Sequence, residues 1–178
     1  AQPTVDEMAK LGTPFVGLLY CGLILTERGI RVIEFNARFG DPETQVVLRR
    51  LTSSLSGLLY KAATGQLNGA ATPDFTKDVA ITVVLASEGY PDTSAPNRPI
   101  SGLEEAEETG IEICHAATAA GVDDTDEYVL LATGGRVLSV VATGTDFASA
   151  RKQAYAGIEK IQLEGSHYRS DIAAKVAN

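Results

Sequence analysis

Arg31–Gln45 reads RVIEFNARFGDPETQ, a strand, a sharp loop and the start of a helix, and the rest of the chain is organised around it. Side chains on a strand alternate between faces. Val32, Glu34, Asn36 and, where the chain stays extended, Arg38 therefore point one way, and Ile33, Phe35 and Ala37 the other. One face then presents a carboxylate, an amide and a guanidinium in a row. A carboxylate and an amide oxygen two residues apart can ligate one hard cation such as Mg²⁺, which takes oxygen ligands and shares its shell with substrate phosphates. Arg38 can hold the phosphate itself. Taken alone, the alternation fits a half-exposed strand with its polar residues in water more readily than a binding face.

The next residues add to that face. Phe39-Gly40 turns the chain, and Asp41-Pro42-Glu43 is a helix start, with Asp as N-cap, Pro at the first helical position and Glu in the first turn. Two carboxylates there repel a phosphate that a helix N-terminus otherwise attracts. Any binding role for Asp41 and Glu43 is therefore to hold an amine, hydroxyls or Arg38.

The chain has 178 residues, enough for one large domain or two small ones, and its 44% hydrophobic and 21% charged content is that of a folded protein. A formal net charge of −8 argues against a nucleic-acid or anionic-membrane surface, while leaving room for small anionic ligands at a local site. The apolar run Phe15–Leu25 is too short to span a bilayer as a helix. With no leader pattern before it, a cytoplasmic protein is expected, with Cys21 and Cys114 as reduced core residues. The first residue is Ala1 rather than methionine, so a processed or truncated start is expected.

Along the chain the patterns predict a helix over 4–11, strands over 15–26 and 30–36 joined by Glu27-Arg28-Gly29, and helices over 43–51 and 53–65. A small, polar stretch at 66–78 places a subdomain boundary near Pro73. Strands follow over 79–86, 111–116, 128–132 and 136–143, with Gly134-Gly135 as a hairpin signal and Glu104–Glu108 as a short helix. A final helix over 146–161 carries the stripe Phe147, Ala150, Ala154, Ile158 and Ile161. The expected class is α+β, with a mixed, mostly antiparallel sheet domain and a terminal helix.

The string EFN followed by RFGDPETQ closely resembles the metal and substrate segment of the phosphoribosylamine-glycine ligase family of ATP-grasp enzymes. ASEGYP at 86–91, ISGL at 100–103, CHAAT at 114–118, GGRVLSV at 134–140 and HYRSDI at 167–172 fall in the order in which that family's C-terminal domain carries similar strings. The sequence departs from the pattern at Asp92, where the family usually has glycine, and at HAAT, where it usually has HAGT. The resemblance implies that residues 1–72 are the C-terminal part of an ATP-grasp domain and 73–178 the C-terminal ligase domain. It implies a reaction in which ATP phosphorylates glycine and the amine of 5-phosphoribosylamine attacks the glycyl phosphate, giving glycinamide ribonucleotide, ADP and phosphate. Glu34 and Asn36 then match the metal ligands (Mg²⁺ or Mn²⁺), Arg38 the group that stabilises the phosphoryl oxygens, and Asp41 and Glu43 the substrate lining. The N-terminal substrate domain and the ATP-clamping lobe of that family have no counterpart here, so the chain is expected to fold but not to ligate alone.

Two rival readings are another ATP-grasp enzyme, such as one of the biotin carboxylase branch, and a noncatalytic packing or oligomerisation module. The first usually has an acidic ligand on the preceding strand, and Val16–Thr26 contains none; the second does not need the Glu34, Asn36 and Arg38 face. His115 and His167 lack a second ligand at metal spacing and read as structural. Gly134-Gly135 precedes a strand rather than a helix and is no phosphate loop. The acidic run Asp123, Asp124, Asp126 and Glu127 lacks EF-hand spacing. Ser53, Ser54 and Ser56 have no His and Asp partners for covalent catalysis.

Overall fold

A computed structural model describes residues 1–123 and 125–177. The chain divides into two compact units, one of residues 1–44 and 51–76, the other of 45–50 and 77–178, so the helix after the signature loop contributes its last turns to the second unit.

In the first unit, α1 (Gln2–Lys10) precedes β1 (Tyr20–Thr26) and β2 (Gly29–Asn36), which pair antiparallel as a two-stranded sheet. The predicted strand over 15–26 begins only at Tyr20; residues 15–19, with Gly17 at φ 142°, make no ladder. α2 (Glu43–Arg50) and α3 (Leu55–Ala63) follow. Ser54 caps α3 by accepting the Gly57 N–H at 3.2 Å. At the other end Gly65, at φ 69°, lets the Gln66 and Gly65 N–H groups reach back to the Lys61 and Ala62 carbonyls, the paired closure that a left-handed residue makes possible. No apolar side chain of this unit is fully buried. Leu25 is 80% exposed and Ile33 66%, and Leu23, Ile24, Ile30 and Val32 are also exposed. A two-stranded sheet with apolar residues open on both faces is marginal by itself.

The second unit holds the core. β3 (Val79–Ala86), β8 (Arg136–Gly144) and β5 (Glu112–His115) form one antiparallel sheet in the order β3-β8-β5. β4 (Arg98–Ile100), β7 (Tyr128–Ala132) and β6 (Thr118–Val122) form a second, in the order β4-β7-β6. α4 (Leu103–Glu107) precedes β5, and α5 (Phe147–Ile158) packs across β3 and β8. Ile81, Val83 and Leu85 alternate inward on β3, whereas β8, the central strand, buries Val137 through Ala142 without a break. Ala150, Ala154 and Ile158 bring the apolar stripe of α5 onto them; Ile161 is buried beyond the end of the helix, and Phe147 stays partly exposed. Asp146 starts α5 with a capping box, its carboxylate accepting the Ser149 N–H at 2.7 Å, and these bonds hold that carboxyl below the usual range.

Gly134-Gly135 does not close a hairpin. β7 and β8 lie in different sheets, and the two glycines carry the chain from one to the other. Neither has the positive φ that a tight hairpin turn requires. Instead Gly135 lies under the Tyr90 ring and Gly134 against Ala117, while the Gly135 carbonyl accepts the Ser87 N–H at 2.7 Å. In the acidic run, the Asp123 carboxylate accepts the Thr125 and Glu127 N–H groups at 2.8 and 3.1 Å, while Asp124 lies outside the described residues.

The C-terminal segment straps this unit together. Ala86 pairs with His167 and Ser101 with Gln162 as isolated bridges. Tyr155 on α5 donates to the Arg169 carbonyl at 2.6 Å and accepts the Ile172 N–H at 3.1 Å, and Arg151, stacked 4.6 Å above the Tyr155 ring, donates to the Ile172 and Ser170 carbonyls. Tyr155→Phe removes both hydroxyl bonds and leaves their backbone partners to water or to nothing. The expected loss is about 1–3 kcal/mol of unfolding free energy, read as a lower urea midpoint at an unchanged slope.

Candidate functional site

The site is assembled at the open end of the β1–β2 hairpin. Thr26 pairs with Gly29 and Leu23 with Val32, but beyond that point the register slips by one, so that Gly22 faces Glu34 and Tyr20 faces Asn36. A bulge at Ile33 makes the slip, and it reverses the alternation expected from the sequence: paired residues share a face, so Val32 goes with Leu23 while Glu34 and Asn36 go with Gly22 and Tyr20 on the other side. Gly22 is buried, and a β-carbon there would come within 3.2 Å of the Glu34 Cγ, so the absence of a side chain at 22 makes room for the carboxylate.

The Asn36 Nδ2 donates to the Glu34 Oε1 at 2.9 Å. Turning the amide about its last bond places Oδ1 where Nδ2 stands, giving two oxygens about as far apart as the roughly 3 Å edge of an octahedron of Mg–O bonds of about 2.1 Å. The pair thus fits two adjacent positions of such a shell. Among the described residues, no group of three or more His, Cys, Asp or Glu side chains is placed to hold a metal, so the fit is to a shell completed by phosphate and water oxygens.

Asn36 ends β2, and Ala37-Arg38 is a bend. Arg38 is therefore off the strand rather than third in a row on its face. Its guanidinium is exposed and donates through Nη1 to the Phe39 carbonyl at 2.7 Å, leaving most of its fork of donors open to an oxyanion.

The expected helix start is also revised. Asp41 and Pro42 form a turn joined by a cis peptide, and the helix begins at Glu43 rather than with Pro42 in its first position. The Gly40 carbonyl accepts the first helical bond, from the Thr44 N–H at 3.1 Å, and the Thr44 hydroxyl as well. Asp41 is exposed, whereas Glu43 is half-buried and turns back over Gly40. A β-carbon on Gly40 would lie 2.5 Å from the Glu43 Oε2 and 3.2 Å from the Tyr20 ring. The Glu43 carboxylate beside the Tyr20 hydroxyl, with burial and the nearby Glu34 charge, pushes the phenol above its ordinary value. Glu34, Asn36 and Glu43 are thus drawn together around Tyr20, with Arg38 and Asp41 on the exposed loop between them. Sequence reasoning missed Tyr20.

Cys21 and Cys114 are free and half-buried, and burial raises the Cys114 thiol. No helix among the described residues is long and apolar enough to cross a membrane.

Residues 80–175 match the family described as phosphoribosylglycinamide synthetase, C domain, and residues 1–44 match the ATP-grasp (A) domain of the same synthetase. The phosphoribosylamine-glycine ligase of Leifsonia xyli is 58% identical over 98% of this chain and 42% of its own length; that of Streptomyces coelicolor is 52% identical over 99% and 42%. The crystal structure of the Thermotoga maritima phosphoribosylamine-glycine ligase superposes with a TM-score of 0.74 at 33% identity, over 92% of this chain and 39% of that one. A biotin carboxylase domain from Hydrogenobacter thermophilus shares the fold at a TM-score of 0.53 and 11% identity. The chain therefore spans about two fifths of the length of the relatives it matches. With its C domain matched over more than half of the chain and its signature loop inside the A-domain match, this chain belongs to the phosphoribosylglycinamide synthetase family.

Proposed function

We propose that this chain is the C-terminal part of an ATP-dependent ligase that joins glycine to 5-phosphoribosylamine through a glycyl phosphate, yielding glycinamide ribonucleotide, ADP and phosphate. The observation that carries the reading is the Glu34–Asn36 pair, 2.9 Å apart at the end of β2, followed by the open guanidinium of Arg38. Such a ligation needs no protein nucleophile. It needs negative charge neutralised on the phosphoryl group in transfer and three reactants held in line.

In this reading Glu34 and Asn36 hold a divalent cation, Mg²⁺ or Mn²⁺, whose chemistry is to neutralise and orient the ATP phosphates. Arg38 binds the oxygens of the phosphoryl group and then of the acyl phosphate, where a planar fork matches two oxygens at once. Asp41 and Glu43 accept hydrogen bonds from substrate amine and hydroxyl groups and, being anionic, keep phosphate on the Arg38 side of the loop. The N-terminal and ATP-clamping lobes are the partners of this piece. The exposed Leu23, Ile24, Leu25, Ile30 and Ile33 support that reading, because cover by those lobes removes their cost of exposure. Two unpaired thiols, Cys21 and Cys114, suit a cytoplasmic site of action.

The test is product formation from glycine, 5-phosphoribosylamine and Mg²⁺-ATP, assayed for the isolated chain and for a complete ligase ending in it. The complete polypeptide is expected to form glycinamide ribonucleotide and the isolated chain none; turnover by the isolated chain overturns the division of labour proposed here.

A further inference from the structure

Tyr20 is a residue to which the reaction as described gives no part, yet it lies beside Asn36, Gly40 and Glu43. It opens β1 opposite Asn36, its ring flanks Gly40, and its hydroxyl meets the Glu43 carboxylate. It reaches this place only through the bulge. In the register set by Thr26 and Gly29, residue 20 would pair with Phe35 and lie on the opposite face; the slip between Gly22 and Leu23 moves it across to Asn36. Bulges re-aim side chains in this way beside functional sites. Buried Gly40 completes the arrangement, since any side chain there would occupy the space in which the Glu43 Oε2 lies 2.5 Å from the β-carbon position.

We propose that Tyr20 is a positioning residue of the ligase site, holding the Glu43 carboxylate beside the Glu34–Asn36 pair so that the carboxylate is already aimed at the amine or hydroxyl of the organic substrate. The proposal rests on the reading of Asp41 and Glu43 as substrate lining. Glu43 is a flexible side chain at the first position of a helix, and fixing it costs entropy that a substrate must otherwise supply on binding. A phenol donating to a carboxylate is a bond to a charged group, among the stronger single bonds a side chain makes. Tyr20 itself contacts Glu43, not the substrate.

Two experiments on the complete ligase separate this from a merely structural role. In the first, ¹³Cζ-labelled tyrosine is observed at neutral pH in the absence of substrates. The Tyr20 resonance is expected to move in Glu43→Gln and in Gly40→Ala; an unmoved resonance in both overturns the proposal whatever the enzyme's activity. In the second, Tyr20→Phe, which keeps the ring against Gly40, is expected to raise the KM of glycine or of 5-phosphoribosylamine about tenfold while the KM of Mg²⁺-ATP stays within twofold. Combined with Glu43→Gln it is expected to add nothing beyond Glu43→Gln alone. An unchanged KM for both organic substrates, a matching rise in the KM of Mg²⁺-ATP, or additive losses in the double variant overturns it. Failure of the ligase reading looks different: the complete enzyme then forms no product, while the resonance still reports whether Tyr20 holds Glu43.

Discussion

Arg38→Ala in the complete ligase is expected to lower kcat/KM about 100- to 1,000-fold, corresponding to about 3–4 kcal/mol of transition-state stabilisation, the cost of deleting one preorganised donor to a developing oxyanion in other enzymes. The physical case lies in how lightly Arg38 is used by the fold. It is exposed, stands on a bend after the strand, and donates to the carbonyl of the next residue at 2.7 Å. Nothing in the packing calls for a guanidinium there, so its removal should leave the thermal midpoint within a degree or two. Arg38→Lys keeps the charge but not the planar fork, and should recover only part of the loss. A kcat/KM within threefold of wild type in Arg38→Ala would remove Arg38 from the chemistry.

Glu34→Ala is expected to act on the metal instead. Even groups that only support a metal ligand cost about 10- to 100-fold when removed, so a direct carboxylate ligand should cost about 100-fold or more at a fixed, low Mg²⁺ concentration. Because the lost term is cation affinity, raising Mg²⁺ should restore part of the rate, and the half-saturating Mg²⁺ concentration should rise with it. Asn36→Ala should shift the Mg²⁺ dependence in the same direction by less, since an amide oxygen carries no net charge. Replacing Asn36 by Asp, which keeps an oxygen and adds a charge, separates ligation from the hydrogen bond that Asn36 donates to Glu34 at 2.9 Å. A Mg²⁺ dependence unchanged in Glu34→Ala would contradict the assignment.

The elements that could be read from sequence were those whose pattern and propensity agree. β3 and β7 begin and end where β-branched and aliphatic runs meet turn residues, and α5 starts at Asp146, where a capping side chain precedes an apolar stripe. β4 and β6 were not legible, because the first is three residues with a proline in the middle and the second is Thr-Ala-Ala-Gly-Val. Both are edge strands, paired only to β7, where proline and small residues are tolerated. Gly134-Gly135 misled for a related reason: a glycine pair between two strands signals a reversal, and only the tertiary structure shows the second strand joining another sheet.

In the site, Glu34 and Asn36 could be grouped because a single residue separates them on one strand, on the same side of the bulge. Arg38 lay two residues beyond the end of the strand, where alternation no longer applies. Tyr20 was hidden by the bulge itself. Counting register outward from the Glu27-Arg28 turn places it opposite Phe35, and no local signal announces the extra residue at Ile33. The one hint was Gly22, a small residue inside an apolar strand, which in retrospect marks close approach of the Glu34 side chain.

The most direct test of the central claim, that this chain carries the metal and phosphoryl side of a ligase site, is titration calorimetry of Mg²⁺-ATP into the chain alone, into a separately expressed N-terminal part, and into the two combined, with Glu34→Ala alongside. Binding that appears or tightens only in the combination, and is lost in Glu34→Ala, is the expected result. Binding in the combination that is indifferent to Glu34→Ala would contradict the account.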